Sequence, residues 1–196
     1  MLKKSHLPVA ILLCGRGGSG KSTLATHLVE LLQKDRKCIL IRFDEFRKKL
    51  TSPGQDPFSP NPQLKFVIYQ RAAQEFSQHL NQGHTLVVDS GLSVERIREY
   101  LKATLPSLKI CHVHCPLPIA IWRDTQRSLL NESHERGKFL HLRAMRDLLN
   151  PFRKEKFPQP GITYPFEEPR CADIHINTFF KSPLKAAHEI LEKLNL

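Results

Sequence analysis

The sequence lacks a long apolar segment and has little tryptophan and methionine. Its longest uninterrupted apolar run is six residues, from Val9 to Cys14. A transmembrane helix needs about 20 apolar residues, so we expect no membrane partner. The five cysteines are odd in number and follow no disulfide-framework spacing. This predicts free thiols and a cytoplasmic location.

Acidic residues are also scarce, because 19 Asp and Glu face 30 Lys and Arg and leave a formal net charge of +11. Such a balance favours polyanionic partners, namely nucleotides, phosphorylated or sulfated metabolites, or RNA. A basic surface that only keeps the protein soluble is an equally weighted alternative. An apolar content of 40% with 25% charged residues excludes disorder as a description of the whole chain.

Short apolar runs alternate with segments of helical periodicity, which is typical of strands joined by helices in a parallel sheet. Strands are predicted at 8–14, 38–43, 85–88, 109–115 and 172–176. Helices are predicted at 20–34, 66–80, 94–103, after Pro116, around 139–149 and at 184–194. No repeat or linker interrupts this order. We therefore expect one three-layer α/β domain over residues 1–196, with Trp122 in its core.

A glycine-rich loop follows the first strand and opens the first helix. Its pattern, Gly-x-x-x-x-Gly-Lys-Ser, is a full Walker A motif, which predicts a P-loop NTPase fold that binds ATP. Lysine in this motif bridges the β- and γ-phosphates, and the serine hydroxyl can ligate Mg²⁺. A dinucleotide site is the weaker alternative, since it has no use for Lys-Ser at this turn. The predicted nucleotide-binding residues are Gly15, Arg16, Gly17, Gly18, Ser19, Gly20, Lys21, Ser22 and Thr23.

Carboxylates follow the second and third strands, where ligands sit in an open α/β sheet. Asp44 can accept the proton of an attacking hydroxyl, and Arg47 can hold an anionic acceptor one helical turn later. Asp89 resembles a Walker B acid that holds Mg²⁺ together with Ser22. A helix N-cap or turn role is the alternative for both aspartates.

A lid is expected at about 125–160. Basic side chains on one helix face suit a lid that folds over the triphosphate and supplies charge in the transition state. A solvated helix face is the alternative. The basic residues are Arg136, Arg143 and Arg146. The apolar side of the same helix is predicted to be Phe139, Leu142, Met145 and Leu149.

The phosphate loop and Asp44 with Arg47 resemble the adenylyl-sulfate (APS) kinase family, as do Arg123-Asp124 and the segment 160–169 (Pro-Gly-Ile-Thr-Tyr-Pro-Phe-Glu-Glu-Pro). The resemblance implies that Arg123 packs on the adenine and that Arg71 serves the substrate. The chain departs from the family at Arg42-Phe43-Asp44, where an Asp-Gly-Asp stretch is usual. The run Val-Val-Asp89-Ser90 is closer to polynucleotide-kinase-like relatives, which places Ser90 among the substrate residues.

The resulting expectation is a kinase that transfers the γ-phosphoryl group of ATP, with Mg²⁺, to a hydroxyl of a small anionic acceptor similar to adenylyl sulfate. The expected catalytic residues are Lys21, Asp44, Arg143 and Arg146. An RNA- or tRNA-directed kinase and a non-catalytic nucleotide-binding regulator are the alternatives. A homodimer is an open expectation.

Overall fold

The computed structural model describes residues 7–59, 61–130, 138–150, 152 and 157–196. Within these residues, five strands form one parallel sheet in the order β2-β3-β1-β4-β5. The strands are β1 (Ala10–Cys14), β2 (Cys38–Arg42), β3 (Thr85–Asp89), β4 (Leu108–His114) and β5 (Ile174–Asn177). The helices are α1 (Lys21–Leu32), α2 (Phe43–Leu50), α3 (Pro62–Asn81), α4 (Glu95–Thr104), α5 (Leu117–Leu129), α6 (Leu140–Leu149) and α7 (Pro183–Leu194).

Helices cover both faces of the sheet. Because successive side chains of a strand point to opposite faces, one strand contributes to two cores. In β1, Leu12 joins a core with α2, α3 and α4, whereas Leu13 joins a second core with α1 and α7. The architecture is therefore the predicted three-layer P-loop fold with a five-stranded parallel sheet. No helix of the described residues is long and apolar enough to span a bilayer.

Local sequence sets where the helices begin. The Asn61 side chain accepts hydrogen bonds from the first backbone N–H groups of α3, and Pro62 occupies its first turn. Ser182 caps α7 in the same way, ahead of Pro183. Strand β2 ends at Arg42, so Asp44 lies in the first turn of α2 and not at the end of a strand.

Two predictions about side-chain burial are wrong. Trp122 is 59% exposed, because the buried face of α5 consists of Ala120, Asp124 and Ser128. The predicted apolar stripe of α6 faces outward as well, and Leu149 is 79% exposed. The buried residues of α6 are Leu140, His141, Ala144 and Asp147.

Candidate functional site

A cavity of about 500 Å³ opens at the edge of the sheet where the parallel strands end. The phosphate loop, the start of α2, the residues after β3 and one side of α5 surround it. The predicted residues that line it are Gly15, Gly17, Gly18, Gly20, Lys21, Ser22, Thr23, Asp44, Arg47, Asp89 and Arg123. The fold thus brings most of the predicted site together, although these residues come from four separate stretches of sequence.

The phosphate loop packs tightly against α5. Gly18 has a φ of +72°, which L side chains rarely adopt, and a Cβ at this position would overlap the carbonyl oxygen of Ala120. Glycine is therefore required at this position by both the backbone and the neighbouring helix. The loop ends at Gly20, directly before α1. The first N–H groups of a helix have no partner within the helix and can bind an anion.

Lys21 is held at the base of the cavity. Its Nζ donates to the carbonyl oxygen of Arg16 at 2.8 Å, and its side chain is largely buried. Burial lowers the pKa of the Lys21 ammonium below its usual range, and the carboxylates of Asp89 and Asp44 offset only part of this. A cation and the backbone N–H groups of a glycine-rich loop can hold a phosphate chain, and nearby carboxylates can hold a divalent cation.

Arg47 borders the side of the cavity formed by α2. Its guanidinium carbon lies 5.4 Å from the ring centroid of Phe43 and 5.5 Å from that of Phe58. Both distances are within the range of cation–π contact. The guanidinium is thus placed by aromatic contacts and presents a charge that an anion can use.

Lys65 and Tyr164 also line the cavity. The Nζ of Lys65 lies 4.4 Å from the Tyr164 ring centroid, and the lysine is 92% buried, with only 8% of its surface exposed. Tyr164 belongs to the segment that resembles the APS kinases. This side of the cavity therefore combines cations with aromatic rings, a set that suits a planar or cyclic anionic molecule.

The segment that carries Tyr164 is fastened by Arg98, a fully buried arginine of α4. Arg98 donates to the carbonyl oxygens of Leu92 and Glu167 and to the carboxylate of Glu95. The backbone N–H of Glu167 also donates to Ser93, at 3.0 Å. Arg98 thereby holds the lining segment 91–94 against Glu167, three residues after Tyr164.

The third wall of the cavity contains Asp124 and Arg127 of α5. Arg127 Nη2 donates to Asp124 Oδ1 at 2.8 Å, and the Asp124 side chain is only 1% exposed. Burial alone would raise the pKa of Asp124, but hydrogen bonds from His141 and Arg127 outweigh it and lower the pKa to about 2. The carboxylate is therefore ionised and fixes a guanidinium at the cavity wall.

Several predicted residues lie outside the lining and have other contacts. Arg71 donates to the carbonyl oxygen of Leu50, and Ser90 contacts the Tyr69 hydroxyl at 2.6 Å. Ser19 is buried beneath the loop. The remaining three are arginines. Arg16 pairs with Glu168, Arg143 packs on the Phe157 ring, and Arg146 pairs with Asp147.

Arg143 and Arg146, predicted for the lid, do not line the cavity in this structure. Both follow the exposed side of α6, because the buried polar residues His141 and Asp147 occupy its inner side. Arg136 and much of the predicted lid lie outside the described residues. Arg127 and Lys65, which were not predicted, line the cavity together with Lys21, Arg47 and Arg123.

Sequence reasoning missed Lys65, Arg127 and Tyr164. The spacing of Arg123 and Arg127 was an available signal, because residues four apart share one helix face. Arg123 donates to Thr178 at 3.0 and 3.1 Å, so this face is turned toward the phosphate loop and β5. Lys65 offered no comparable signal, since it stands alone within the apolar periodicity of α3.

The model of the family described as "AAA domain" matches residues 11–152, which include the phosphate loop, β1–β4 and α1–α6. The comparison with curated proteins found no match.

Solved structures share this fold at low sequence identity. The APS kinase of Mycobacterium tuberculosis, solved with AMPPNP and APS, has a TM-score of 0.75 and 18% identity, over 96% of this chain and 98% of that chain. A gluconokinase from Sinorhizobium meliloti has a TM-score of 0.58 and 14% identity, over 97% and 93%. A shikimate kinase from Acinetobacter baumannii, in complex with shikimate, has a TM-score of 0.54 and 19% identity, over 96% and 93%. At identities this low, the structural similarity shows the shared P-loop kinase-like fold alone.

Proposed function

The chain belongs to the AAA domain family, and from this premise we propose that it is an ATP-dependent kinase for a hydroxyl group of a small anionic molecule. The observation that carries the proposal is one cavity that contains both the Walker A lysine, Lys21, and a separate cationic and aromatic side around Arg47 and Lys65. A nucleotide-binding site alone does not need the second set.

On the nucleotide side, the loop N–H groups and Lys21 bind the phosphate chain of ATP. Arg123 lies at the same wall and contacts the adenine end in our proposal. Arg127, oriented by Asp124, adds positive charge beside the transferred group. These charges matter most in the transition state, where the phosphoryl oxygens and the leaving oxygen share the negative charge.

On the acceptor side, Asp44 positions the attacking hydroxyl and receives its proton as the oxygen bonds to the γ-phosphorus. The bond between that phosphorus and the bridging oxygen of ADP breaks in the same transfer. Phosphoryl transfer through a loose transition state asks little of a base, so positioning is the larger part of this role. Arg47 and Lys65 hold the negative group of the acceptor.

The residues present also suit Mg²⁺. Ser22 and Asp89 both line the cavity beside Lys21 and offer a hydroxyl and a carboxylate oxygen, the donors that Mg²⁺ prefers. These two residues would hold the ion, which when bound neutralises charge on the phosphates.

The acceptor class follows from the chemistry of the cavity. Two cations with Phe58 and Tyr164 beside them favour an anion attached to a ring, and adenylyl sulfate is such a molecule. The structural neighbour solved with APS supports placing it first among the candidates. Polyol acids are the next class, since neighbours of the same fold include a gluconokinase and a shikimate kinase.

An acceptor screen by ADP release tests the proposal. Purified protein with ATP and Mg²⁺ is given adenylyl sulfate, hydroxy acids, nucleosides and short RNA in separate reactions. Release stimulated by a small anion supports the proposal. Release stimulated only by RNA, and weakened steeply by salt, would assign the enzyme to RNA kinases. Nucleotide binding with no stimulated release would leave a regulator.

A further inference from the structure

His141 of α6 is almost completely buried, with 1% of its side chain exposed. Its Nε2 has no hydrogen-bond partner among the described residues. Buried polar atoms nearly always have one, because an unpaired polar atom costs free energy. This nitrogen therefore needs an explanation, and a ligand of the site can supply it.

Asp124 fixes the orientation of this imidazole. The backbone N–H of His141 donates to Asp124 Oδ2 at 3.1 Å. The ring Nδ1 lies 3.1 Å from the same oxygen, near enough for an ion pair although off the alignment of a full hydrogen bond. A carboxylate on the Nδ1 side keeps a proton on Nδ1 and turns Nε2 away from it.

The ring lies directly against the phosphate loop. A Cβ built on Gly17 would stand 3.1 Å from His141 Cε1, 3.6 Å from its Nε2 and only 2.7 Å from the Gln159 amide nitrogen. Gly17 thus leaves the space that the imidazole fills. The ring does not line the cavity itself, but it adjoins Gly17, Asp124 and Leu140, which do.

The position along the loop points to one end of the phosphate chain. Gly17 directly follows Arg16, whose carbonyl oxygen accepts from the Lys21 ammonium at 2.8 Å. In a Walker A site this lysine reaches the β- and γ-phosphates, and the helix start holds the inner phosphates. The imidazole and the lysine therefore share the end of the loop nearest the terminal phosphate.

Resting on the proposed function, we infer that His141 Nε2 donates a hydrogen bond to the terminal phosphate of ATP and so couples α6 to the triphosphate. Phosphate oxygens only accept, so in this contact Nε2 carries a proton toward the phosphate while the Nδ1 proton faces Asp124. The ring then stands between the Asp124 carboxylate and the terminal phosphate.

Calorimetry with AMPPNP and with ADP tests this inference, with Mg²⁺ present and no acceptor. In His141→Leu, the Kd for AMPPNP should rise by about 10- to 100-fold, the range for a lost hydrogen bond to a charged group. The Kd for ADP should change by no more than about twofold. His141→Gln keeps a polar donor and should recover part of the AMPPNP affinity. Leu142→Ala, on the exposed side of the same helix, is the matched control and should bind both nucleotides like the wild type.

Thermal unfolding checks that each variant is folded, and His141→Gln carries the test if His141→Leu is not. Equal losses for AMPPNP and ADP, or unchanged AMPPNP affinity, would overturn the inference. A failed kinase proposal would show instead in the acceptor screen, which this binding experiment does not use.

Discussion

The ammonium of Lys65 lies 4.4 Å from the ring centroid of Tyr164. This contact joins α3 to the segment 160–169, in which the carbonyl oxygen of Glu167 accepts a hydrogen bond from Arg98. The lysine is also mostly buried at the cavity wall. A buried cation facing an aromatic ring costs less than one facing aliphatic side chains. The relationship thus keeps a positive charge beside the acceptor position.

Replacing Lys65 should therefore affect the acceptor and not ATP. In Lys65→Met, the KM for the acceptor should rise by about 10-fold or more, because a charge-assisted contact is lost. The Kd for ATP should stay within about twofold of the wild type. Steady-state kinetics with varied acceptor measure the first, and calorimetry the second. Val67→Ala, an exposed position on the same helix, is the control. A change confined to ATP binding would move Lys65 to the nucleotide side.

Asp44 is expected to serve the acceptor hydroxyl. Asp44→Asn should lower turnover by at least about 100-fold with ATP affinity nearly unchanged, since a base and a positioning contact are both lost. Glu45→Gln is a matched control, because this neighbouring carboxylate lines the same cavity. Rapid-quench measurement of a single turnover separates the chemical step from product release. Loss of ATP–Mg²⁺ binding in Asp44→Asn would instead make Asp44 a metal-site residue.

Phosphoryl transfer should require Mg²⁺, and Ser22 and Asp89 should determine the Mg²⁺ concentration at which transfer begins. Excess chelator should abolish transfer, and activity should return when Mg²⁺ is added back. Asp89→Asn should shift the Mg²⁺ titration to higher concentration, whereas Asp35→Asn, an exposed carboxylate beyond α1, should leave it unchanged. Transfer that persists in excess chelator would contradict the assignment.

Asp124 should make the free energy of unfolding depend on pH. Its pKa is lowered from 3.8 to about 2 in the folded protein, so the folded state binds this proton less readily than the unfolded state. The associated stabilisation, about 2 kcal/mol, is present above about pH 4 and is lost as the pH falls toward about 2. Urea unfolding between these values should show a weaker pH dependence for Asp124→Asn than for the wild type. An equal pH dependence of the free energy of unfolding in the wild type and Asp124→Asn would show that this carboxylate does not contribute to it.

The fold and the phosphate loop could be predicted from the sequence because both depend on patterns of neighbouring residues. Apolar runs of four to six residues between helical periodicities predict a parallel sheet that is buried on both faces. The Walker A motif is contiguous, so strand, loop and helix are recognised together. Asp44 and Asp89 were found for a related reason, since parallel strands end at one edge of the sheet.

The rest of the site depends on contacts between distant segments. The inner side of α6 was mispredicted because His141 and Asp147 are buried with polar partners, while hydrophobic periodicity counts such residues as exposed. Trp122 was mispredicted because α5 approaches the phosphate loop so closely that only small or hydrogen-bonded residues fit between them. Tyr164 contacts Lys65 across about 100 positions of sequence, and Arg98 binds Glu167 across 69, so no local pattern records either contact.

Transfer of the labelled γ-phosphoryl group of ATP tests the central claim most directly. With adenylyl sulfate or another small anionic alcohol from the screen, the label should appear in the small-molecule product. Lys21→Ala should reduce this transfer by several orders of magnitude, while Lys34→Ala, an exposed lysine just beyond α1, should leave it unchanged. Label found only in RNA, or only in inorganic phosphate from hydrolysis, would contradict a small-molecule kinase.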